Sequence, residues 1–539
     1  MITVGLYGIP DRTQGERPFH VHDHGVALMR DGQVLTVVQL ERWTGVKHDH
    51  RLPRYLSAIL ARLLPPGEPV RFVSVNSFEG DTFQTLDGSL RIEPTRDVPI
   101  SAEPVPATVT WRPDRVHQEP AEGWVLSHEA AHLGSILPFV GRFQDNALAA
   151  HIDGGASRSA CSFWRIQDGK PVLLEASWDL LKDVVNNFNV NPAVRAILGF
   201  KPEEHLAIPG RLMGYAAFGT PDPELMAWLK KRRWLLDTDD HHQVCALLLD
   251  RLGTLDPHAT PCMDFCATLQ QAFEDAVVTA LRQRAPERGT LYYTGGAALN
   301  IPTNTLLHQY FDTVWIPPGT NDSGLALGAA AWIEYLDHGH LHVHDPFLNR
   351  FDVPQGEPPP DAVPEVARRL LQGQVIGVCN GPAEFGPRAL GHRSLLARAD
   401  RVETRQRVSE QIKRREWYRP VAPILCEEAA AEVLEPQAVT SPLSRWMLGA
   451  WRVREPWHDH LRGVLHADGT VRAQVVHRTD GNTWIHSLLE TLWHDHGVPA
   501  LINTSFNGPG QAIVQRMDEA RATARRLGLD GVVLHGSLH

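Results

Sequence analysis

Two segments of this chain share one layout, an apolar run that stops at a pair of glycines. Ala147 to Asp153 reads as a buried strand reaching Gly154-Gly155, and Thr290 to Thr294 reads as another reaching Gly295-Gly296 before an apolar helix start. Unbroken apolar runs of this length suit strands covered on both faces, and the cover must come from helices. Near the N-terminus, Val26–Met29 and Val34–Val38 flank Arg30-Asp31-Gly32-Gln33, a hairpin with Asp-Gly at its centre. Strands alternating with helix-like runs in this way specify an α/β chain.

Asp23 and Asp153 each stand near a strand–turn–strand unit, and glycine-rich turns follow later strands. That doubling suggests an actin-like (ASKHA-type) architecture for the N-terminal part. A polar, proline-bearing stretch from His338 to Pro364, with Pro358-Pro359-Pro360 in its centre, can continue neither a helix nor a central strand. It divides the chain into residues 1–345, a linker at 346–364, and residues 365–539. The 539 residues carry 52 Lys and Arg against 63 Asp and Glu, a net charge of −11. All of the excess falls before Asp352. Such a balance argues against a nucleic-acid partner, which would draw on many Lys/Arg–phosphate contacts. Between Arg388 and Arg419, however, ten basic residues face four acidic ones, as a site for a small phosphate compound would require. The apolar stretch at 324–333 is half the length of a membrane span, and the first eight residues read as a strand and glycine turn, not as a signal peptide. The expectation is a cytoplasmic protein whose six scattered cysteines are reduced core residues.

Several constellations can carry chemistry. His128-Glu-Ala-Ala-His132 places two imidazoles one helical turn apart, the spacing that chelates one ion. Asp153, at a strand end, and Asp322, at a helix start, are hard carboxylates, or else turn and cap residues. Two imidazoles with two carboxylates suit Fe2+, Mn2+ or Zn2+ with positions left open. His338, His340, His342 and His344 alternate along an extended segment at the domain boundary and read as a solvated linker. Glu384-Phe-Gly-Pro-Arg388-Ala-Leu-Gly-His-Arg393-Ser394 joins permissive glycines to two guanidinium forks, which match phosphate oxygens. Lys413-Arg414-Arg415-Glu416-Trp417-Tyr418-Arg419 adds charge, either to that site or to a solvated helix face. Leu501-Ile-Asn503-Thr504-Ser505-Phe506-Asn507-Gly508 runs a strand into polar side chains that fit a capped turn or hydrogen bonds to a nucleotide or oxyanion.

Taken in order, these segments resemble the ATP-dependent O-carbamoyltransferases, the family of nodulation-factor and antibiotic-tailoring enzymes. The resemblance runs from His22-Asp23, Glu41-Arg42 and Lys47-His48 through His128/His132, His151-Ile-Asp153-Gly-Gly, Pro209-Gly-Arg-Leu-Met-Gly214, Gly295-Gly-Ala-Ala-Leu-Asn300 and Asn321-Asp322-Ser-Gly. It continues through Gly386-Pro-Arg-Ala-Leu-Gly391, Arg415-Glu416, Arg419-Pro-Val-Ala-Pro423 and Asn503-Thr-Ser-Phe-Asn507. The chain departs from the pattern at Ser127, Pro382, His392 and Gln511-Ala512.

The resemblance implies an actin-like metal-dependent transfer domain followed by a YrdC-like α/β domain. The latter would convert carbamoyl phosphate and ATP, with Mg2+, into carbamoyl-adenylate. The former would move the carbamoyl group to a hydroxyl of a small molecule such as a sugar or secondary metabolite. It also implies His128, His132, Asp153 and Asp322 as ligands of a divalent transition metal, Fe2+ ahead of Mn2+ or Zn2+. Gly295, Gly296 and Asn300 become cofactor contacts. Arg388 and Lys413 become catalytic in activation, and Arg393, Ser394, Arg415, Arg419, Asn503, Ser505 and Asn507 bind its substrates. His22, with Asp23 beside it, is the candidate base for the acceptor hydroxyl. Two alternatives are a tRNA threonylcarbamoyl-transfer fusion, disfavoured by the acidic N-terminal part, and an actin-like ATP-binding chaperone or regulatory protein, which gives the arginine cluster no purpose.

Overall fold

A computed structural model describes residues 1–8, 21–76, 80–96, 98–156, 158–237, 240–285, 287–354 and 356–539. The N-terminal part contains two sheets with one plan. In the first, β1 (Ile2–Tyr7), β2 (Gly25–Arg30), β3 (Gln33–Gln39), β4 (Val70–Val75) and β5 (Ala121–Leu126) lie in the order 3-2-1-4-5, with a short strand at Val105–Pro106 on the far edge. In the second, β6 (Leu148–Ile152), β7 (Cys161–Gln167), β8 (Lys170–Ser177), β9 (Thr290–Thr294) and β10 (Thr313–Trp315) repeat that order. The directions repeat too: the first three strands of each set pair antiparallel, and the last two join parallel to the first. The hairpin of the first set turns at Asp31 and Gly32, both at positive φ as a tight Asp-Gly turn demands.

Two helices lie between the sheets. α1 (His128–Gly134) follows β5, and α3 (Leu325–His338) follows β10; a helix from the insert after β8, α2 (Ile208–Ala216), reaches the other half of the molecule. α1 and α3 cross at glycines. A Cβ on Gly328 would stand 1.8 Å from the Ala131 carbonyl oxygen, and one on Gly134 2.3 Å from that of Gly328. The small residues therefore bring the two backbones together and set α1 against the turn that begins α3.

The C-terminal part is built on a seven-stranded mixed sheet, with a two-stranded ribbon at Trp451–Arg452 and Thr470–Val471 beside it. β11 (Ile376–Cys379), β12 (Arg393–Arg398), β13 (Ala422–Cys426), β14 (Gln474–Val476), β15 (Leu501–Ser505), β16 (Gly531–Leu534) and β17 (Ser537–Leu538) are ordered 14-13-15-12-11-16-17. Alternate residues face opposite ways. Ile376, Val378, Leu396, Ile424 and Leu501 meet α4 (Val363–Leu371) and α6 (Thr483–His496) in one apolar cluster. Cys379, Leu395, Ala397, Leu425 and Ile502 belong to a second cluster, which runs without a break into the N-terminal part.

The boundary segment takes part in that joint. Phe347, Leu348, Asn349 and Phe351 are buried. Leu348 accepts from Val37 N of β3 (2.8 Å), while Asn349 and Ala383 exchange backbone hydrogen bonds (3.0 and 3.1 Å). What the sequence presents as the first part of a linker is thus a strap laid between the halves. Its apolar residues are too few for a recognisable strand, and the partners that bury them lie far away in sequence. Of the four alternating histidines, His338, His340 and His342 are exposed, but His344 accepts from Val34 N (3.1 Å) and is docked. Gln355, in the remaining linker, lies outside the described residues. Among the described residues, no helix is long and apolar enough to cross a membrane. All six cysteines are free, five of them buried.

Candidate active site

α1 begins at His128 because Ser127 caps it, its Oγ accepting from Ala130 N (3.2 Å). His128 and His132 then project from one face, and their Nε2 atoms stand 3.1 Å apart. Asp322 Oδ1 lies 3.6 Å from His128 Nε2 and 3.5 Å from His132 Nε2, and Asp153 Oδ2 lies 3.8 Å from the latter. Ligand atoms on one ion at bond lengths of about 2.1 Å sit about 3.0–3.4 Å from one another, so the four expected residues converge at nearly the spacing that one cation sets. Their supports are built in. Tyr7 Oη donates to Asp322 Oδ2 (2.7 Å), and the backbone N–H groups of Gly154 and Gly296 donate to Asp153 (2.5 Å each). Glu129, next along α1, accepts from Arg158 N and Ser159 Oγ (3.0 Å each) and so ties α1 to the start of β7. Burial opposes the charge on Asp322, yet the two histidines hold its carboxyl well below the usual range. Burial likewise opposes protonation of His128, which Asp322 nevertheless favours.

His151 is a fifth member that the sequence reading quoted without a role. It is fully buried on β6, stacks on His132 (centroids 4.8 Å apart), and neither ring nitrogen has a hydrogen-bond partner. Burial, then His132 and His128, push its pKa well below normal, so it is a neutral imidazole available as a donor atom. Its i, i+2 spacing from Asp153 on a strand was the available signal.

Beside this centre sits Asp23. It accepts from His22 Nδ1 (3.0 Å), His48 Nδ1 (2.8 Å) and Asn321 Nδ2 (3.0 Å), and both Asp23 and His48 adopt positive φ. Burial works against a charged His22, but Asp23 followed by Asp322 and Asp153 raises it to about 9. With these three carboxylates uncompensated, His22 favours its protonated form over the free base that the expected role needs. His48 and Asn321, which complete the grip on Asp23, were named only as parts of motifs.

The cofactor contacts need correction. Gly295 is required by its φ of 94° and because a Cβ would lie 2.1 Å from the Ile152 carbonyl oxygen. It turns the chain so that Gly296 N reaches Asp153. Asn300 caps the helix Ile301–Leu307 through Thr303 N and exchanges amide hydrogen bonds with Gln270, so its side chain is committed within the fold. A single motif of glycines and an amide cannot say whether its groups face a ligand or one another.

In the C-terminal half, Glu384 shapes the arginine loop. Its Oε1 accepts from the backbone N–H of Leu390 (2.7 Å), His392 (2.8 Å) and Arg393 (2.9 Å). Arg393, 1% exposed, spends all five N–H groups on carbonyls of Asn380, Gly381, His392 and Gln515 (2.6–3.1 Å). It is a structural strut with no donor left for a phosphate, contrary to expectation. Ser394 Oγ accepts from Gly391 N (3.0 Å), and buried Asn503 donates to Ala389 O and Gln474 Oε1. Both brace the loop, although Asn503 Oδ1 is buried without a hydrogen-bond partner. Lys413 Nζ donates to Ser505 O (2.7 Å), Asn507 O (2.8 Å) and Asn507 Oδ1, and Ser505 Oγ donates to Asn507 Oδ1 (2.8 Å). These three expected site residues occupy one another, and Lys413 anchors a loop instead of offering a free ammonium.

What remains open is a group of arginines. Arg388, Arg415 and Arg419 converge with Arg472, which the sequence reading did not single out. Arg388 Nε and Arg472 Nε are buried without hydrogen-bond partners. Burial and Arg419 push Arg388 down to about 10; burial, Arg419 and Arg388 push Arg415 to about 9; Arg472 is held well below the usual range by burial and the other three. Glu416 offsets part of this charge but also pairs with Arg211 of α2 (3.2 Å). Mutually repelling, desolvated guanidiniums define a site for a polyanion. The loop that carries Arg388 docks on the other half: a Cβ on Gly386, at φ 97°, would lie 2.3 Å from the Pro318 carbonyl oxygen, just before Asn321-Asp322. Val46 bridges to Gln511 beside Lys47, whose charge adds to the lowering of Lys413.

Comparison with known proteins adds the chemistry. Residues 126–331 match the family model described as Carbamoyltransferase N-terminus, and residues 367–539 match Carbamoyltransferase C-terminus. Nodulation protein U of Rhizobium tropici is 36% identical over 91% of this chain and 90% of its own length. The chain belongs to the carbamoyltransferase family. This carbamoyltransferase is also 28% identical to nodulation protein NolNO of Sinorhizobium fredii, over 95% of this chain and 78% of the relative. A 3'-hydroxymethylcephem-O-carbamoyltransferase of Amycolatopsis lactamdurans is 35% identical over 51% of this chain and 53% of its own. Among solved structures, the ROK hexokinase of Thermus thermophilus aligns with 62% of this chain and all of its own at 12% identity, with a TM-score of 0.27, too slight a likeness to bear on the fold.

Proposed function

We propose that this carbamoyltransferase activates carbamoyl phosphate with ATP in its C-terminal half and passes the carbamoyl group, as carbamoyl-adenylate, to a hydroxyl of a small molecule at the histidine–aspartate centre. The observation that carries this reading is the set of four arginines, lowered by burial and by one another and offset only in part by Glu416, joined at Gly386 and Pro318 to the segment that bears Asp322. A carbamoyl carbon is a poor electrophile, because nitrogen donates into it. Conversion to a mixed anhydride with AMP supplies a leaving group. In the activation step water takes the phosphoryl group of carbamoyl phosphate, giving phosphate and leaving carbamate. A carbamate oxygen then bonds to the α-phosphorus of ATP as the bond to pyrophosphate breaks, and pyrophosphate leaves with its electron pair. Arg388, Arg415, Arg419 and Arg472 would hold those oxygens and offset the charge that develops. In transfer, the acceptor oxygen bonds to the carbamoyl carbon and AMP departs.

The duplicated 3-2-1-4-5 sheets support reading the N-terminal part as actin-like, while the YrdC-like reading of the C-terminal part rests on the sequence resemblance. His128, His132, Asp153 and Asp322, with His151 adjacent, fit a divalent transition metal, Fe2+, Mn2+ or Zn2+. When bound, such an ion supplies a Lewis acid for the carbamoyl oxygen. A cation among these carboxylates also offsets two of the charges that keep His22 protonated, and so returns that imidazole toward the base form facing the acceptor.

Separate assay of the half-reactions tests the proposal. His132→Ala is expected to lose the metal and acceptor carbamoylation but keep carbamoyl-phosphate-dependent ATP–pyrophosphate exchange, whereas His342→Ala keeps all three. Arg388→Ala is expected to lose exchange yet transfer from supplied carbamoyl-adenylate. Folded variants that each lose both half-reactions would leave a single composite site in place of two.

A further inference from the structure

A second cluster of ligand atoms lies in the C-terminal half, built by two parallel strands that end side by side. β13 runs into Glu427-Glu428 at the start of α5 (Glu427–Val433), and its neighbour β14 runs into His477-Arg478. α6 crosses nearby and presents His486 and Glu490 one turn apart. His486 is 3% exposed. Its Nε2 faces Glu428 Oε2 at 3.6 Å and its Nδ1 faces Glu490 Oε2 at 3.8 Å, both too long for hydrogen bonds. His486 Nε2 and Glu428 Oε2 are both buried without a hydrogen-bond partner. Glu427 completes a set whose ligand atoms lie within 4.8 Å of one another.

We propose that Glu427, Glu428 and His486 bind a structural divalent cation of the zinc class, at a site separate from the catalytic centre. Charge and orientation favour it. Three carboxylates, Glu427, Glu428 and Glu490, meet one guanidinium, Arg478, which lies 2.7 Å from Glu490 Oε1 and 3.7 Å from Glu428 Oε1. With neutral histidines the cluster carries an excess of two negative charges, which one divalent ion cancels. Arg478 occupies the Oε1 side of both carboxylates, so each turns Oε2 to the imidazole. A neutral His486 whose Nδ1–H points to Glu490 leaves the Nε2 lone pair facing the oxygen lone pairs of Glu428; an ion between them replaces that repulsion with two bonds. Glu490 lies on the side of the second ring nitrogen, at 3.8 Å, where a small shift of the carboxylate would let it accept from that nitrogen as carboxylates do for metal-bound histidines. Glu427 is oriented by His477 Nδ1 (2.8 Å) and Arg478 N (3.0 Å). One nitrogen and two carboxylates suit Zn2+ better than Mg2+ or Ca2+, which favour all-oxygen sets. The ion would clamp α5 to α6.

The test uses the full chain carrying His132→Ala and Asp322→Ala, so that the catalytic centre does not contribute. Equilibrium dialysis against zinc is expected to leave about one ion per chain, and adding Glu428→Gln or His486→Gln is expected to weaken its binding at least about tenfold, the scale of losing one ligand. Cobalt(II) in the unaltered background provides a readout that does not depend on how well the added variants fold: visible d–d bands are expected on titration to one equivalent. A background protein that retains no zinc and develops no cobalt bands overturns the proposal, as does equal binding by folded Glu428→Gln and His486→Gln. In that case His486 packs between two carboxylates without an ion.

Discussion

Arg388 and Arg393 stand five residues apart in one glycine-rich segment, and sequence gives no reason to separate them. Arg393 is saturated by five carbonyl hydrogen bonds, while Arg388 has a buried Nε without a partner. Their variants should therefore fail differently. Arg388→Lys is expected to cut pyrophosphate exchange by about 100-fold, the scale of removing one preorganised donor, with little change in melting temperature. Arg393→Lys leaves buried carbonyls unpaired and is expected to cost about 3 kcal/mol of stability, read as a fall in Tm. If Arg393→Lys melts like the parent but loses exchange, Arg393 touches substrate after all. Legibility at this scale was uneven. Residue types and spacing pointed to the phosphate segment, but donor saturation depends on carbonyls such as that of Gln515, which are invisible to any local motif.

At the scale of elements, the strap at 346–351 and the loop at 384–393 are one joint. His392 stacks on Phe347 with centroids 3.6 Å apart and shares Nδ1 with the Pro382 carbonyl oxygen at 2.6 Å. Burial pulls its pKa from the ordinary 6.5 to about 4, against the opposing pull of Glu384. The unfolded chain thus takes up a proton first as pH falls. Stability is intact above about pH 6.5 and is lost between there and pH 4, by about 3 kcal/mol from this residue. Denaturation midpoints measured across that window should flatten in His392→Asn, and an unchanged acid arm would place the loss at other buried histidines such as His24 and His466. Of the four alternating histidines in the segment before the strap, three are exposed, as a solvated stretch requires. Its burial at Phe347 to Asn349 could not be read, because the covering partners are β3 and Ala383.

For the whole molecule, one apolar cluster continues from Tyr7 and α1 through Trp446 to Leu534. Halves that share a core unfold together. Calorimetry is expected to show a single transition, and two resolved transitions would mean that the halves are stable separately and merely tethered. Such a joint also suits the proposed chemistry, in which a reactive adenylate would be kept from water between the two halves. The sequence by itself determined the α/β character, the family, and the local charge excess between Arg388 and Arg419, and its resemblance to the family nominated His128, His132, Asp153 and Asp322 as a set. Periodicity, glycine turns and residue chemistry are local properties, and motif order carries the rest. Only the tertiary structure decided which polar groups remain free. It put Arg393, Asn300, Ser394 and Asn503 to work inside the fold, left Arg388, Arg415, Arg419 and Arg472 to face one another, and added His151 to the histidine–aspartate cluster. A hydrogen bond is spent on whichever partner lies nearest in space, and that neighbour is set by packing between segments hundreds of residues apart.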